Sequence, residues 1–304
     1  MTNPAPLAAV NSPAPAAAVR QGLPGFKVLN LGDSGAGKTH VIRTLLGAGI
    51  QPFVLATEPG MRSLAPCDNP ACPVCKDTRN APVIPWAYVT PTPGDISTLI
   101  GQAELINTKD LKFLCNVNDT TRSTQYTQFI DVLRLIEKFR DDTGKSWGPV
   151  HSWNTDRALV LDAWTSLTPM AMDMFCGKRP AYDKSDYQIA QRALENLATL
   201  LTCQIRCHVI VIAHPEREFD EVTGQVRLTV STVGQKLAPK LPRLFDDVIT
   251  SKRSGTTFVW STAETNAIGK ARNLPIKDGI VPDYRPMVES WKRAGGVIAP
   301  TAVA

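Results

Sequence analysis

Residues 32 to 39 read GDSGAGKT, a complete match to the phosphate-binding pattern G-x-x-x-x-G-K-[ST]. An apolar run at residues 26 to 31 precedes this loop and predicts a buried strand, and residues 40 to 46 follow it with helical spacing. The motif requires this order, because glycines let backbone N–H groups turn towards a polyphosphate at a helix N-terminus. A glycine-rich turn that binds nothing is the less frequent explanation of a complete motif.

The loop predicts the ligands as well as the local structure. Lys38 is expected to reach the β- and γ-phosphates, and the Thr39 hydroxyl is expected to bind Mg²⁺. We therefore expect a nucleoside triphosphate and Mg²⁺ at this site. The predicted nucleotide contacts are Gly32, Asp33, Ser34, Gly35, Ala36, Gly37, Lys38 and Thr39.

Composition sets broad limits on the class of protein. The chain has 304 residues and 43% hydrophobic content, enough for one large domain. Its net charge of +5 permits a nucleic-acid partner without requiring one. No run is long and apolar enough for a membrane span, and residues 1–24 predict a disordered Ala/Pro-rich arm instead of a secretory signal. Seven cysteines then predict free thiols or metal ligands in a cytoplasmic protein.

Strand and helix patterns alternate along the chain and predict an α/β domain with a mainly parallel sheet flanked by helices. We expect this domain to span residues 25–290, with a small cysteine-rich insertion at about 65–81 and a flexible tail at 291–304. Antiparallel hairpins are expected near the C-terminus. The further expected strands are 52–57, 83–89, 157–162 and 208–214, the helices 95–106, 124–141 and about 189–200, and the hairpin segments 219–230 and 247–262.

A phosphate-binding loop needs an acidic partner for its metal, usually an Asp at the carboxyl end of a central strand. Asp162 follows the apolar run Ala-Leu-Val-Leu and is the best candidate. Many buried strands end in an acid, so this pattern gains specificity only from the complete loop that precedes it.

Four short motifs carry a family resemblance: the phosphate loop, FVLATEPG, ALVLDAWTSL and HVIVIAHPER, in that order. This order resembles the RecA core, and more specifically the short RecA-like ATPases of bacteriophages, a group that includes single-strand-annealing recombination proteins. The base-reading motif of GTPases and the signature motif of ABC ATPases are absent from the sequence. The resemblance covers about residues 25–290 and implies ATP hydrolysis in an infected bacterial host cell.

The resemblance also implies residue roles. Glu58 matches the acid that polarises the attacking water, and His214 matches the polar residue that senses the γ-phosphate. Lys270 and Arg272 alternate as on one face of a strand and match a pair that reaches a neighbouring subunit's γ-phosphate, which implies a ring or filament. An exposed N-cap or turn acid, a hydrogen-bonded histidine at a strand end and a solvated basic strand are the alternatives. The sequence departs from the family at Ala163, where a hydroxyl residue is usual.

Cys67, Cys72 and Cys75 form a C-x4-C-x2-C cluster. The Cys-Pro-Val-Cys segment predicts a knuckle that directs two thiolates at one zinc ion. A closed structural site needs a fourth ligand, for which Cys115 or His151 is a candidate. Three free thiols in a surface loop remain the alternative.

A basic segment at residues 234–243 follows the His214 strand. In RecA-like proteins the corresponding loop binds single-stranded DNA through its phosphates, so Lys236, Lys240 and Arg243 are candidate DNA contacts. This segment contains no aromatic residue for base stacking, which predicts weakly sequence-selective and salt-sensitive binding. A solvated basic loop is the alternative.

Together these patterns favour a Mg²⁺-dependent RecA-like ATPase that binds single-stranded DNA and supports phage recombination or annealing, with a single-strand-binding protein as a candidate partner. Two alternatives stay open. A P-loop nucleoside or nucleotide kinase with a zinc element would phosphorylate a small acceptor independently of DNA. A DNA-binding module that uses ATP only as a conformational lock would anneal DNA without hydrolysis.

Overall fold

A computed structural model describes residues 22–91, 96–108, 126–177, 184–219, 226–234, 236–263 and 269–302. Its centre is a seven-stranded sheet built from β1 (Lys27–Gly32), β2 (Gln51–Ala56), β3 (Trp86–Tyr88), β6 (Arg157–Asp162), β7 (His208–Ala213), β10 (Asp247–Ser254) and β11 (Thr257–Ser261). The strand order is β11-β10-β1-β7-β6-β2-β3. All neighbouring pairs are parallel except β10 and β11, which form an antiparallel hairpin.

Two small hairpins lie outside this sheet: β4 (Phe139–Arg140) with β5 (Ser146–Gly148), and β8 (Pro215–Phe219) with β9 (Val226–Val230). The described α-helices are Thr44–Gly47, Ile96–Thr108, Gln128–Glu137, Trp164–Cys176, Lys184–Cys203, Leu241–Leu244 and Arg285–Arg293. Short 3-10 helices cover His40–Arg43, Met61–Leu64 and Val150–Ser152. None of the described helices is long and apolar enough to cross a membrane.

The central strands are buried on both faces, because helices cover both sides of the sheet. Side chains alternate along each strand, so Leu159 and Leu161 of β6 enter one core and Ala158 and Val160 enter the other. The helices Gln128–Glu137, Trp164–Cys176 and Lys184–Cys203 contribute to the first core. The segment after the phosphate loop and the helix Arg285–Arg293 contribute to the second.

This architecture confirms the expected fold class: a mainly parallel sheet flanked by helices, antiparallel hairpins towards the C-terminus and a cysteine cluster fit a RecA-like α/β fold. The strand β7 lies between β1 and β6, and all three are parallel. Their carboxyl ends therefore open at one edge of the sheet, where ligands of such folds bind. The hairpin expected at residues 219–230 begins earlier, at Pro215.

The C-terminal segment, for which the sequence predicts a flexible tail at 291–304, makes contacts with the rest of the domain. Trp291 belongs to the helix Arg285–Arg293, and its side chain is buried. Its indole Nε1–H donates to the Pro24 carbonyl at 2.8 Å. Thr301 is buried as well and donates a hydrogen bond from its Oγ1 to Asp156. These contacts of Trp291 and Thr301 attach the segment to distant parts of the chain. Residues 1–21 of the predicted disordered arm lie outside the described residues.

Candidate nucleotide-binding site

The phosphate loop follows β1 and depends on its glycines. A Cβ atom at Gly32 would lie 2.6 Å from the Ser251 carbonyl oxygen of β10, so a larger residue would displace the neighbouring strand. Gly35 and Gly37 have φ angles of +76° and +79°, in the left-handed region that favours glycine. The Phe258 ring covers the loop, and a Cβ at Gly37 would lie 3.1 Å from it. The loop is therefore shaped by backbone conformation and by contact with β10 and β11.

The loop lysine and threonine face the end of β6. Lys38 is buried and donates from Nζ to the carbonyl oxygens of Gly32 at 2.5 Å and Asp33 at 2.8 Å. Thr39 donates from Oγ1 to Asp162 Oδ2 at 2.6 Å. The structure thus brings together the threonine and the acid that the sequence predicted as Mg²⁺ ligands. A hydroxyl and a carboxylate oxygen so close together suit a hard divalent cation.

Burial and charge act against each other at this site. Burial lowers the pKa of Lys38, and the nearby Asp162, Glu58 and Asp33 charges oppose that shift. Burial also raises the pKa of Asp162, against the hydrogen bond from Thr39 and the charge of Lys38. The charges of Lys38 and Asp162 therefore depend on the charged groups around them. Such mutual dependence is typical of a site where a charged ligand replaces some of these groups as a partner.

Glu58 and His214 follow β2 and β7, the two strands that flank β6, and therefore lie on either side of Asp162 at these strand ends. Glu58 follows β2, and its Oε2 lies 3.0 Å from His214 Nε2, while its Oε1 accepts a bond from Ser166 Oγ at 2.9 Å. His214 follows β7, and its backbone N–H donates to Thr165 Oγ1 at 2.9 Å. The acid and the histidine that the sequence assigned separately are thus direct partners. Ser166 is a third member that sequence reasoning missed.

Thr57 fixes the position of Glu58 relative to β6. Its Oγ1 donates to the Ala163 carbonyl at 2.9 Å and accepts from the Ala163 N–H at 3.1 Å. Both Thr57 and Ala163 are fully buried. The alanine that departs from the family pattern therefore contributes its backbone to holding the two strand ends together.

Lys270 and Arg272 lie at the opposite, amino-terminal ends of the parallel strands. Lys270 pairs with Val248 near the start of β10, and its Nζ donates to the Arg243 carbonyl at 3.1 Å. Arg272 forms an ion pair with Asp246 at 2.8 Å. Because β10 runs parallel to β1 and Ser251 is level with Gly32, both cations lie near the amino-terminal ends of these strands. They do not lie with the other candidate residues of the same chain.

The candidate DNA-contact residues differ in solvent exposure and in ion pairing. Lys236 and Arg243 are exposed, but Lys240 Nζ pairs with Glu195 at 2.8 and 3.0 Å. The hairpin of β8 and β9 has an exposed aromatic ring, which the basic segment at residues 234–243 lacks. Phe219 is 66% exposed and lies opposite Val226 in this hairpin.

The cysteine cluster acquires a fourth member from the phosphate-loop segment. One ligand atom each of His40, Cys67, Cys72 and Cys75 lies within 4.8 Å of the others. We call these four residues the Cys₃His cluster. The sequence did not single out His40, although its position directly after Thr39 was the available signal. Of the two expected fourth ligands, His151 is not in the cluster and Cys115 lies outside the described residues.

Comparisons with known proteins address the chain as a whole. No curated protein matches it in sequence. Among solved structures, the RadB recombinase is similar with 14% identity and a TM-score of 0.38, covering 84% of this chain and 86% of that one. The flagellar accessory protein FlaH from Methanocaldococcus jannaschii has 10% identity and a TM-score of 0.27, covering 79% and 78%.

An ATPase from the type III secretion system of pathogenic bacteria has 12% identity and a TM-score of 0.35, covering 76% of this chain and 53% of that one. Structural similarities of this size say nothing about activity. The family comparison is more extensive, because a family model described as "AAA domain" matches residues 25–273. This match includes the phosphate loop, Asp162, Glu58 and His214, and the chain therefore belongs to this AAA-domain family.

Proposed function

We propose that the protein is a Mg²⁺-dependent ATPase of the RecA-like type whose hydrolysis responds to single-stranded DNA, in support of phage recombination or annealing. The observation that carries this proposal is the contact between Glu58 Oε2 and His214 Nε2 at 3.0 Å. His214 directly precedes Pro215, the first residue of the hairpin of β8 and β9. One residue thus connects the candidate hydrolytic acid to an exposed hairpin.

In the proposed reaction, Lys38 releases its two loop carbonyls and donates to the β- and γ-phosphates. Mg²⁺, held through Thr39 and Asp162, would neutralise charge on the phosphate oxygens. Glu58 orients a water for attack on the γ-phosphorus and accepts its proton, while the bond from that phosphorus to the β–γ bridging oxygen breaks and ADP leaves with the oxygen. His214 holds the Glu58 carboxylate and can transmit a movement of the hairpin to it.

The hairpin supports a DNA role through the chemistry of one face. Side chains alternate along a strand, so Arg217 and Phe219 of β8 share a face. Their partners across the hairpin are Leu228 and Val226. This face offers a cation for phosphate and an aromatic ring for base stacking, the two contacts that single strands use. Glu216 and Glu218 occupy the opposite face.

Self-assembly is part of the proposal because of where Lys270 and Arg272 lie. Both cations are distant from the phosphate loop of their own chain, at the amino-terminal edge of the sheet. The side chain of Arg272 is 65% exposed. In a head-to-tail assembly that edge can meet the loop of the next subunit, where the pair would stabilise charge on the γ-phosphate.

The test is the rate of ATP hydrolysis with and without single-stranded DNA. We expect several-fold stimulation that is lost at high salt, and we expect Phe219→Ala to reduce the stimulation while leaving the basal rate unchanged. Phe175→Ala, which removes an exposed ring from the helix Trp164–Cys176, is the matched control. Lys38→Ala supplies the background rate.

Two results would contradict the proposal. A rate that DNA does not change, together with phosphorylation of a nucleoside acceptor, would favour the kinase. Strand annealing that needs ATP but is unaffected by Glu58→Gln would favour a module in which ATP only locks the conformation.

A further inference from the structure

The Cys₃His cluster has no part in the proposed hydrolysis, yet it lies directly beside the phosphate loop. Cys67, Cys72 and Cys75 belong to the insertion, whereas His40 is the first residue of the 3-10 helix that follows Thr39. We propose that this cluster binds one Zn²⁺ ion, which attaches the insertion to the segment that follows the phosphate loop.

The distances within the cluster suit a tetrahedral site. His40 Nε2 lies 3.3 Å from Cys75 Sγ and 3.7 Å from Cys72 Sγ. Tetrahedral zinc with ordinary Zn–N and Zn–S bonds separates such atoms by about 3.6 Å. Three thiolates and one imidazole form a set of ligands that favours zinc among the common cellular metals, because hard cations such as Mg²⁺ prefer oxygen ligands.

The histidine is oriented for coordination by its second nitrogen. His40 Nδ1 lies 3.0 Å from the Ser63 carbonyl oxygen, which can only accept a hydrogen bond. Nδ1 must therefore carry the proton, and Nε2 presents its lone pair to the sulfurs. Metal-bound histidines are usually held in this way by an outer partner.

The backbone around the cysteines has the turns expected of a metal knuckle. The Cys75 N–H donates to the Cys72 carbonyl at 3.1 Å, and the Lys76 N–H donates to the same oxygen at 2.9 Å. The Cys67 N–H points at Cys75 Sγ at 3.4 Å. Cys75 itself is fully buried. The cluster is thus partly enclosed, and hydrogen bonds hold the backbone around its cysteines.

A second contact joins the same two segments and indicates what the metal holds. Arg43, three residues after His40, is buried and donates from Nη1 to the Leu64 carbonyl at 2.7 Å and from Nη2 to the Thr78 carbonyl. Arg43 thus binds both ends of the insertion, and zinc would bind its middle. Loss of the metal should therefore loosen the helical segment that directs Lys38 and Thr39.

The first experiment measures zinc per chain by mass spectrometry of the purified full-length protein. We expect one zinc per chain in the wild type and in Cys203→Ser, which removes an exposed thiol outside the cluster. Cys72→Ser and His40→Ala should each lose most of the metal. Cobalt replacement should give the absorption of a tetrahedral thiolate site, and this readout needs no substitution, so it remains informative if a variant fails to fold.

The second experiment measures Mg-ATP affinity of the wild type before and after zinc removal by a chelator. We expect binding to weaken by about 5-fold or more, and to recover when zinc is added back. Because coupling is reciprocal, ATP should tighten zinc binding by the same factor.

Four results would contradict the proposal. The site is wrong if the wild type neither retains zinc nor binds added zinc, or if Cys72→Ser holds as much zinc as Cys203→Ser. Iron in place of zinc would contradict the metal assignment. An ATP affinity that is unchanged by zinc removal would contradict the link to the phosphate loop, and none of these results would bear on the response to DNA.

Discussion

The two ends of the central strands use polar residues in opposite ways. At the carboxyl ends of β2, β6 and β7 and in the phosphate loop, polar side chains bind each other, Thr39 with Asp162 and Glu58 with His214, while Lys38 donates to two carbonyls of the loop. At the amino ends of β1 and β7, the buried side chains of Lys27 and His208 bind backbone groups of the core. The difference separates residues that can exchange partners for a ligand from residues that only hold the fold.

Lys27 and His208 illustrate the amino-terminal edge. Lys27 Nζ donates to the carbonyl oxygens of Ile205 at 2.7 Å and Cys207 at 2.5 Å. His208 Nδ1 accepts from the Phe26 N–H at 3.2 Å, and its Nε2 lies 3.1 Å from the Thr155 carbonyl oxygen. Both side chains are buried. A charged or titratable residue in such surroundings is best explained by hydrogen-bond satisfaction in the core.

The sharpest test of this comparison is Lys38→Ala. We expect ATP hydrolysis to fall by about 10³-fold or more, because Lys38 is the cation that the phosphate-loop motif directs at the β- and γ-phosphates. The free energy of unfolding should change little. Steady-state hydrolysis and urea unfolding of the same preparation measure both quantities, and retained hydrolysis would remove the loop from the mechanism.

The next largest effect is expected for Glu58→Gln. Hydrolysis should fall by about 10²-fold because the amide cannot accept a proton, whereas ATP binding should persist because the amide keeps nearly the same shape. Single-turnover hydrolysis and equilibrium binding of ATP separate the two effects. A variant that binds ATP weakly and hydrolyses normally would show that Glu58 positions the nucleotide instead.

Lys27→Met removes a buried lysine at the amino end of β1, for comparison with the buried Lys38 of the phosphate loop. The change leaves the Ile205 and Cys207 carbonyls without this buried donor, so the free energy of unfolding should fall by about 1–3 kcal/mol. Hydrolysis per folded molecule should be unchanged. Unfolding in urea and hydrolysis at saturating ATP measure this, and a loss comparable to that of Lys38→Ala would abolish the distinction between the edges.

The remaining prediction concerns the pH dependence of the free energy of unfolding and His208. Burial lowers the pKa of His208 to about 3, so between pH 6.5 and 3 the unfolded chain takes up a proton that the folded chain does not. This contribution to stability is fully present above pH 6.5 and decreases by up to about 1.4 kcal/mol per pH unit as the pH falls.

The measurement compares the free energy of unfolding at pH 7 and pH 5 in the wild type and in His208→Gln. The difference between the two pH values should be smaller in the variant, because glutamine does not titrate. An equal pH dependence in both proteins would show that other groups account for it.

Sequence periodicity and motif spacing were sufficient for the fold class, because strands buried on both faces are continuous apolar runs and amphipathic helices repeat at 3.6 residues. The sequence also predicted that Asp162, Glu58 and His214 follow strands and that Lys38 lies in the loop after β1. These residues come together because parallel strands place their carboxyl ends on the same side of the domain. Their catalytic roles remain predictions.

Other features depend on contacts between distant parts of the chain. The position of Phe258 over Gly37 and the packing of Trp291 against the His208 ring join segments far apart in sequence. Neither contact leaves a local pattern, since any buried aromatic residue satisfies the same periodicity. The ordered course of the C-terminal segment follows from such contacts.

The sequence by itself determined that a phosphate loop ends a buried strand, and that three cysteines lie close together, because backbone geometry and short spacing are local properties. Only the tertiary structure decided that His40 joins those cysteines, that Glu58 meets His214, and that Lys270 and Arg272 lie at the far edge of the sheet. The physical reason is that side-chain partners across a sheet are chosen by strand order and register, which no local stretch of sequence encodes.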